Sequence, residues 1–168
     1  MATGTSERLL RILVLRDFEN WLASRIRYHE TLRGHFPQLS QIVRFGKLWA
    51  SYAKEYIGET NYLRDAPLVT LSFNRWVRDE CYRREVLESM GIKLRDNSIS
   101  YVPGAGGGSS FDATRFSGRA EQMKVFDRWR YLLEEKFDDL MPHVRARNPE
   151  IGRLNEQIFG AASYVSPD

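Results

Sequence analysis

At 168 residues, 42% of them hydrophobic and 28% charged, the chain has the size of one domain with a sizeable core, and a disordered or fibrous protein is excluded. Its net charge of +3 comes from basic residues interspersed with acidic ones, as in Arg78-Asp79-Glu80 and Arg83-Arg84-Glu85. Such mixing gives solvated helix faces and a modest attraction for an anionic nucleotide, not the surface of a nucleic-acid binder.

The first element is an apolar run at residues 9–15, interrupted by Arg11 and closed by Arg16 and Asp17. That pattern predicts a strand buried on both faces of a parallel sheet, delivering Arg16 to the C-terminal edge where open α/β sheets bind ligands. Asp17 is placed to cap the helix that follows, whose faces are marked by Phe18, Trp21, Leu22, Arg25 and Ile26. Gly34-His35-Phe36-Pro37 interrupts the helical pattern, and a second helix is predicted over 40–58. Within it Ile42, Phe45, Leu48, Trp49, Tyr52, Ala53 and Tyr56 recur at helical spacing, which predicts one buried, aromatic-rich stripe. Residues 67–73 have the length and the Val and Phe content of a second short strand.

Residues 79–90 read as a helix stopped by Gly91, and 97–110, rich in Ser, Gly and Pro, as a loop. Ala120, Met123, Val125, Phe126, Trp129 and Leu133 predict a third long helix over 118–137, in which Trp129 is a buried anchor between exposed Arg128 and Arg130. A short helix follows Pro149, with Leu154 and Ile158 packing back. Two strands make a marginal sheet in water unless helices cover it or further strands join it, so partner strands are expected in additional sequence or in another chain. Cys81 is the single cysteine, which excludes an internal disulfide and a cysteine-built metal site. No apolar run has the layout of a membrane span or signal peptide, so a soluble cytoplasmic protein is the expectation.

Arg16 and Ser24, eight residues apart at a strand-to-helix junction, can converge on one anion. Arg offers a fork of donors, Ser a hydroxyl, and the helix start free backbone N–H groups. The competing reading pairs Arg16 with Asp17 or Glu19 and leaves Ser24 on an exposed helix face. Farther along, Gly106, Gly107 and Gly108 lack Cβ atoms and let backbone N–H groups close on a phosphate beside the hydroxyls of Ser109 and Ser110. The competing reading there is a flexible linker, and no Lys follows the glycines as in a Walker loop.

His29, His35 and His143 show no metal-ligand spacing and are expected to be exposed or capping, with His35 in a loop past which a substrate could move. Trp49, Tyr52, Tyr56 and Tyr62 offer rings for an adenine or an acceptor, against a stronger reading as core. No Ser-His-Asp or Cys-His constellation can be assembled, and no catalytic residue is identified.

The segment Leu15-Arg16-Asp17-Phe18-Glu19-Asn20-Trp21-Leu22-Ala23-Ser24 resembles the one with which sulfotransferases hold the 3′-phosphate of phosphoadenosine phosphosulfate (PAPS). Residues 67–76 resemble the strand, turn and helix where many members carry Tyr-Glu-Asp, here Phe73-Asn74-Arg75. Gly106-Gly107-Gly108-Ser109-Ser110-Phe111-Asp112 resembles the loop that closes over the same phosphate in bacterial sulfotransferase-like proteins, without the Arg-Lys-Gly opening of the cytosolic branch.

The resemblance covers roughly residues 9–160. It implies a single α/β domain with a partial P-loop-type parallel sheet flanked by helices and a helix-rich C-terminal half. It further implies PAPS as donor, no metal, and sulfuryl transfer to a hydroxyl or amine acceptor, with Arg16, Ser24, Gly106, Gly107, Gly108, Ser109 and Ser110 on the cofactor. The family's phosphosulfate loop and catalytic base lie upstream of the Arg and Ser motif, and residues 1–8 are too few to hold them. The chain is therefore expected to be the C-terminal portion of such an enzyme, completed by a missing N-terminal half or a second chain. The alternative is a catalytically inactive remnant or interaction module that retains the fold. Neither a membrane nor a nucleic acid is an expected partner, and weak RNA binding through scattered arginines ranks last.

Overall fold

The computed structural model describes residues 9–63, 65–93, 96–105, 108–133 and 139–160. Two strands, β1 (Arg11–Leu15) and β2 (Leu68–Ser72), pair in parallel, with Leu13 opposite Thr70 and Leu15 opposite Ser72. Between them in sequence lie α1 (Phe18–Arg33) and α2 (Leu39–Tyr56), so the chain is a mixed α/β protein, rich in helix around a small parallel sheet. Among the described residues no helix is long and apolar enough to cross a membrane.

The caps explain where the first helices begin and end. Asp17 accepts the Asn20 N–H at 3.1 Å to start α1, and Gly34 closes it at φ 71°, a left-handed conformation that costs glycine little. Ser72, the last residue of β2, starts the six-residue α3 (Phe73–Arg78) by accepting from Arg75 N–H at 3.3 Å. Asp79 then starts α4 (Glu80–Ser89) by accepting from Tyr82 N–H at 2.9 Å.

The main core gathers Leu15 of β1, Phe18, Leu22 and Ile26 of α1, and Ile42, Trp49 and Ala53 of α2. It is closed by α5 (Leu140–Arg147) and α6 (Glu150–Phe159), which contribute Leu140, Val144, Ile151 and Leu154. Phe18 and Trp49 meet edge to face at 5.3 Å, the arrangement the ring quadrupoles favour. The predicted stripe on α2 is narrower than its spacing suggests: Leu48 and Tyr52 are exposed because α1, α5 and α6 cover only one side of the helix.

Burial of β1 on both faces, expected from its apolar run, holds for one face only. Leu13 and Leu15 point into the core, whereas Ile12 and Val14 are 49% and 53% exposed. A second cluster of Leu71, Tyr82 and Val86 covers that face over β2, and no described element covers it over β1.

The long helix predicted over 118–137 is absent. The described part holds only two 3-10 turns, Ala120–Gln122 and Arg128–Leu133, and 134–138 lie outside the described residues. The reason lies in the hydrogen bonds. A helix would bond the Trp129 N–H to the Val125 carbonyl, but Trp129 N–H donates to Asn20 Oδ1 at 3.0 Å and the Val125 carbonyl accepts from the Arg16 guanidinium. Gly118 and Ala120 likewise donate to the Ser100 carbonyl, at 2.9 and 3.0 Å. Tertiary contacts override a helical sequence pattern. The helix predicted after Pro149 is present as α6, while α5 was not predicted. Its Pro142 sits in the first turn, where a missing N–H breaks nothing.

Candidate functional site

Arg16 follows the last residue of β1, and its backbone is pinned from the core side: its carbonyl accepts the Trp49 Nε1–H at 2.8 Å. The neighbouring Asp17 is tied to α3 by Asn74, whose Nδ2 donates to Asp17 Oδ2 at 2.8 Å and whose Oδ1 accepts from Asp17 N–H at 3.3 Å. Asn74 thus occupies the middle of the Phe73-Asn74-Arg75 turn as a structural link between the ends of the two strands. So fixed, the Arg16 side chain, 8% exposed, extends beneath Phe73, its guanidinium 4.9 Å from the ring centroid.

Arg16 and Ser24 meet as the sequence predicts, Nη1 donating to Ser24 Oγ at 3.1 Å. Ser24 is half-buried rather than on an exposed helix face. Asp17 is engaged by Asn20 and Asn74, and Glu19 by Arg145 at 2.7 Å. A second guanidinium reaches the same hydroxyl: Arg128 Nη1 donates to Ser24 Oγ at 3.2 Å, and its Nη2 to Ser109 Oγ at 2.8 Å. Arg128, predicted to be exposed, is half-buried, with 9% of its side chain accessible. Burial pulls its pKa down from the ordinary value, and Asp112, 3.6 Å away, partly offsets this. Its Nε is buried without a hydrogen-bond partner among the described residues.

Ser109 joins the cluster through a tight loop. It pairs with Ala113 in an antiparallel bridge of 2.9 and 2.8 Å, and its hydroxyl accepts from the Phe111 and Asp112 N–H groups. Gly108 makes the loop possible. At φ +74° it is left-handed, and a Cβ there would stand 2.6 Å from the Ala113 carbonyl oxygen. Gly106 and Gly107 lie outside the described residues.

These groups line an open cleft of about 930 Å³, Arg16, Ser24, Gly108, Ser109, Ser110 and Arg128 among its walls. The aromatic rings along it are Trp21, Tyr28, Phe73, Trp76 and Tyr101. None of Trp49, Tyr52, Tyr56 and Tyr62 lines it: Trp49 is core, and Tyr62 is 79% exposed. Nothing in the sequence sets Arg128 apart from Arg130, since its partners lie on α1 and in the 108–112 loop. Chemically, two guanidiniums converge on one neutral hydroxyl, with Asp112 beside Arg128 as a carboxylate partner, so the arrangement can offer donors to an oxyanion. Among the described residues no cluster of His, Cys, Asp or Glu is arranged for a metal ion. Comparison with family models, with curated proteins and with solved structures finds no match to the chain.

Proposed function

We propose that the cleft binds the 3′-phosphate of an adenine nucleotide, PAPS or its product adenosine 3′,5′-bisphosphate, as the sulfotransferase resemblance implies. The observation that carries the reading is the convergence of Arg16 and Arg128 on Ser24 Oγ, with Arg128 Nε buried and unsatisfied beside it. A phosphate there would take donors from both guanidiniums and relieve the repulsion between them, interactions worth more in a half-dry cleft than in water. Ser24 and Ser109 hold the two forks in orientation, and the Trp21, Phe73 and Trp76 rings offer flat apolar surface for a base. When bound, PAPS would bring the sulfuryl group. The named residues bind and orient, and no step of transfer is assigned to them.

Calorimetric titration with adenosine 3′,5′-bisphosphate, with 5′-AMP as control, tests the reading. Binding is expected to require the 3′-phosphate and to be lost in Arg16→Ala. A folded chain that binds neither nucleotide, or that binds both equally, removes the proposal. It would leave the interaction-module reading, which the open Ile12 and Val14 face favours.

A further inference from the structure

A second cleft, of about 470 Å³, lies where α1 turns into α2, lined by His29, Arg33, His35, Gln41, Arg44 and Phe45. No carboxylate is among them. Several exposed arginines elsewhere are ion-paired, Arg11 with Asp65, Arg84 with Glu80 and Arg153 with Glu59. Arg33 and Arg44 have no hydrogen bond or ion pair among the described residues. A third guanidinium, Arg25, lies 5.7 Å from the Phe45 ring centroid but lines the larger cleft rather than this one.

The histidines are set to become donors. His29 Nδ1 stands 3.3 Å from the His35 carbonyl oxygen, and His35 Nδ1 stands 3.0 Å from that of Phe36. A carbonyl only accepts, so both Nδ1 atoms carry hydrogen and a second proton on either ring goes to Nε2. The rings are 5.3 Å apart, close enough for two imidazolium charges to oppose each other unless an anion joins them. Gln41 commits its Oε1 to the Gln38 N–H at 2.9 Å, which leaves its amide hydrogens as donors. The polar groups of the cleft are thus donors, or become donors on protonation.

We propose that this cleft is a second anion site, taking a dianionic oxyanion, the chemistry shared by phosphate and sulfate monoesters, between Arg33, Arg44 and the protonated rings of His29 and His35. It is separate from the nucleotide reading, since Arg16, Ser24 and Arg128 do not line it. Binding tightens as the pH falls. The charged side chains lining the cleft beside the rings are the guanidiniums of Arg33 and Arg44; the nearest α1 carboxylate in sequence, Glu30, is engaged by Arg27 and Tyr131.

Inorganic sulfate is the probe, because its charge is constant over the range in which imidazole titrates, from about pH 5.5 to 8. The ring C–H signals of the three histidines are followed by NMR as sulfate replaces chloride at fixed ionic strength, with His143 as internal control. Saturable shifts at His29 and His35 but not His143 are expected, with affinity roughly tenfold higher at the acid end of the range and roughly tenfold lower in Arg33→Ala/Arg44→Ala. Equal or unsaturable shifts at all three rings overturn the proposal, as does unchanged affinity in the double variant. Should that variant not fold, the wild-type titration decides alone, because His143 separates a site from general charge screening.

Discussion

Arg128 makes its contacts through a fork, one nitrogen on Ser24 and the other on Ser109. A lysine ammonium is a single point and cannot span both hydroxyls, so Arg128→Lys keeps the charge and loses the geometry. Nucleotide affinity in the calorimetric titration is expected to fall roughly tenfold, about 1.4 kcal/mol, with the circular dichroism spectrum unchanged. The Arg16 and Ser24 pair was legible because one strand-to-helix unit sets it. Arg128 was not, because it meets Ser24 across 104 positions of sequence, and no local pattern encodes that contact.

Glu19 shows the same balance in an acid. Burial pushes its carboxyl above the usual carboxylate range, and the Arg145 hydrogen bond pulls it only part of the way back, with Oε2 left buried and unsatisfied. A raised native pKa means that the folded state holds this proton more tightly than the unfolded chain. The stability contributed is full below the unfolded pKa and is lost as the pH rises through the folded one. Glu19→Gln removes that loss. In urea melts from about pH 4 to 8 the variant is expected to gain on the wild type progressively as pH rises. A constant difference between the two curves would refute the assignment.

At the scale of elements, α2 and α5 approach each other where Gly46 faces Asn148 and Val144. A Cβ on Gly46 would stand 2.7 Å from Asn148 Nδ2, an amide already donating to the Val144 carbonyl at 2.9 Å. Alanine would improve helix propensity by about 1 kcal/mol, but overpacking this contact costs roughly 1–3 kcal/mol, so the steric term is expected to win. Gly46→Ala should lower the urea midpoint without altering nucleotide affinity, because the position is on the core side of α2, away from the cleft. The start of α1 was legible from its cap, Asp17, and that of α4 from the helical pattern opening at residue 79, whereas α5 was not predicted. The segment 118–137 was misread because its apolar spacing is helical while its backbone groups are committed elsewhere, and hydrogen bonds to distant side chains leave no trace in periodicity.

Across the whole molecule, the mixed α/β class and the two strands were legible from short apolar runs ended by charge. The one-sided cover of β1 was not, since Ile12 and Val14 look the same in sequence whether or not anything lies over them. A final consequence follows from the bonds that Arg16 and Asn20 make to Val125 and Trp129. The segment carrying Arg128 has only a short 3-10 ladder and no α-helical one, and it is tied to residues near the other end of the described chain. Such contacts close a long loop and form only after the β1–α1 unit is in place, so the anion cleft is expected to be among the last parts to assemble. The Trp129 amide records this event. Its hydrogen exchange should slow late in refolding, after the amides of α1 are already protected, and protection at the same time as α1 would contradict that order.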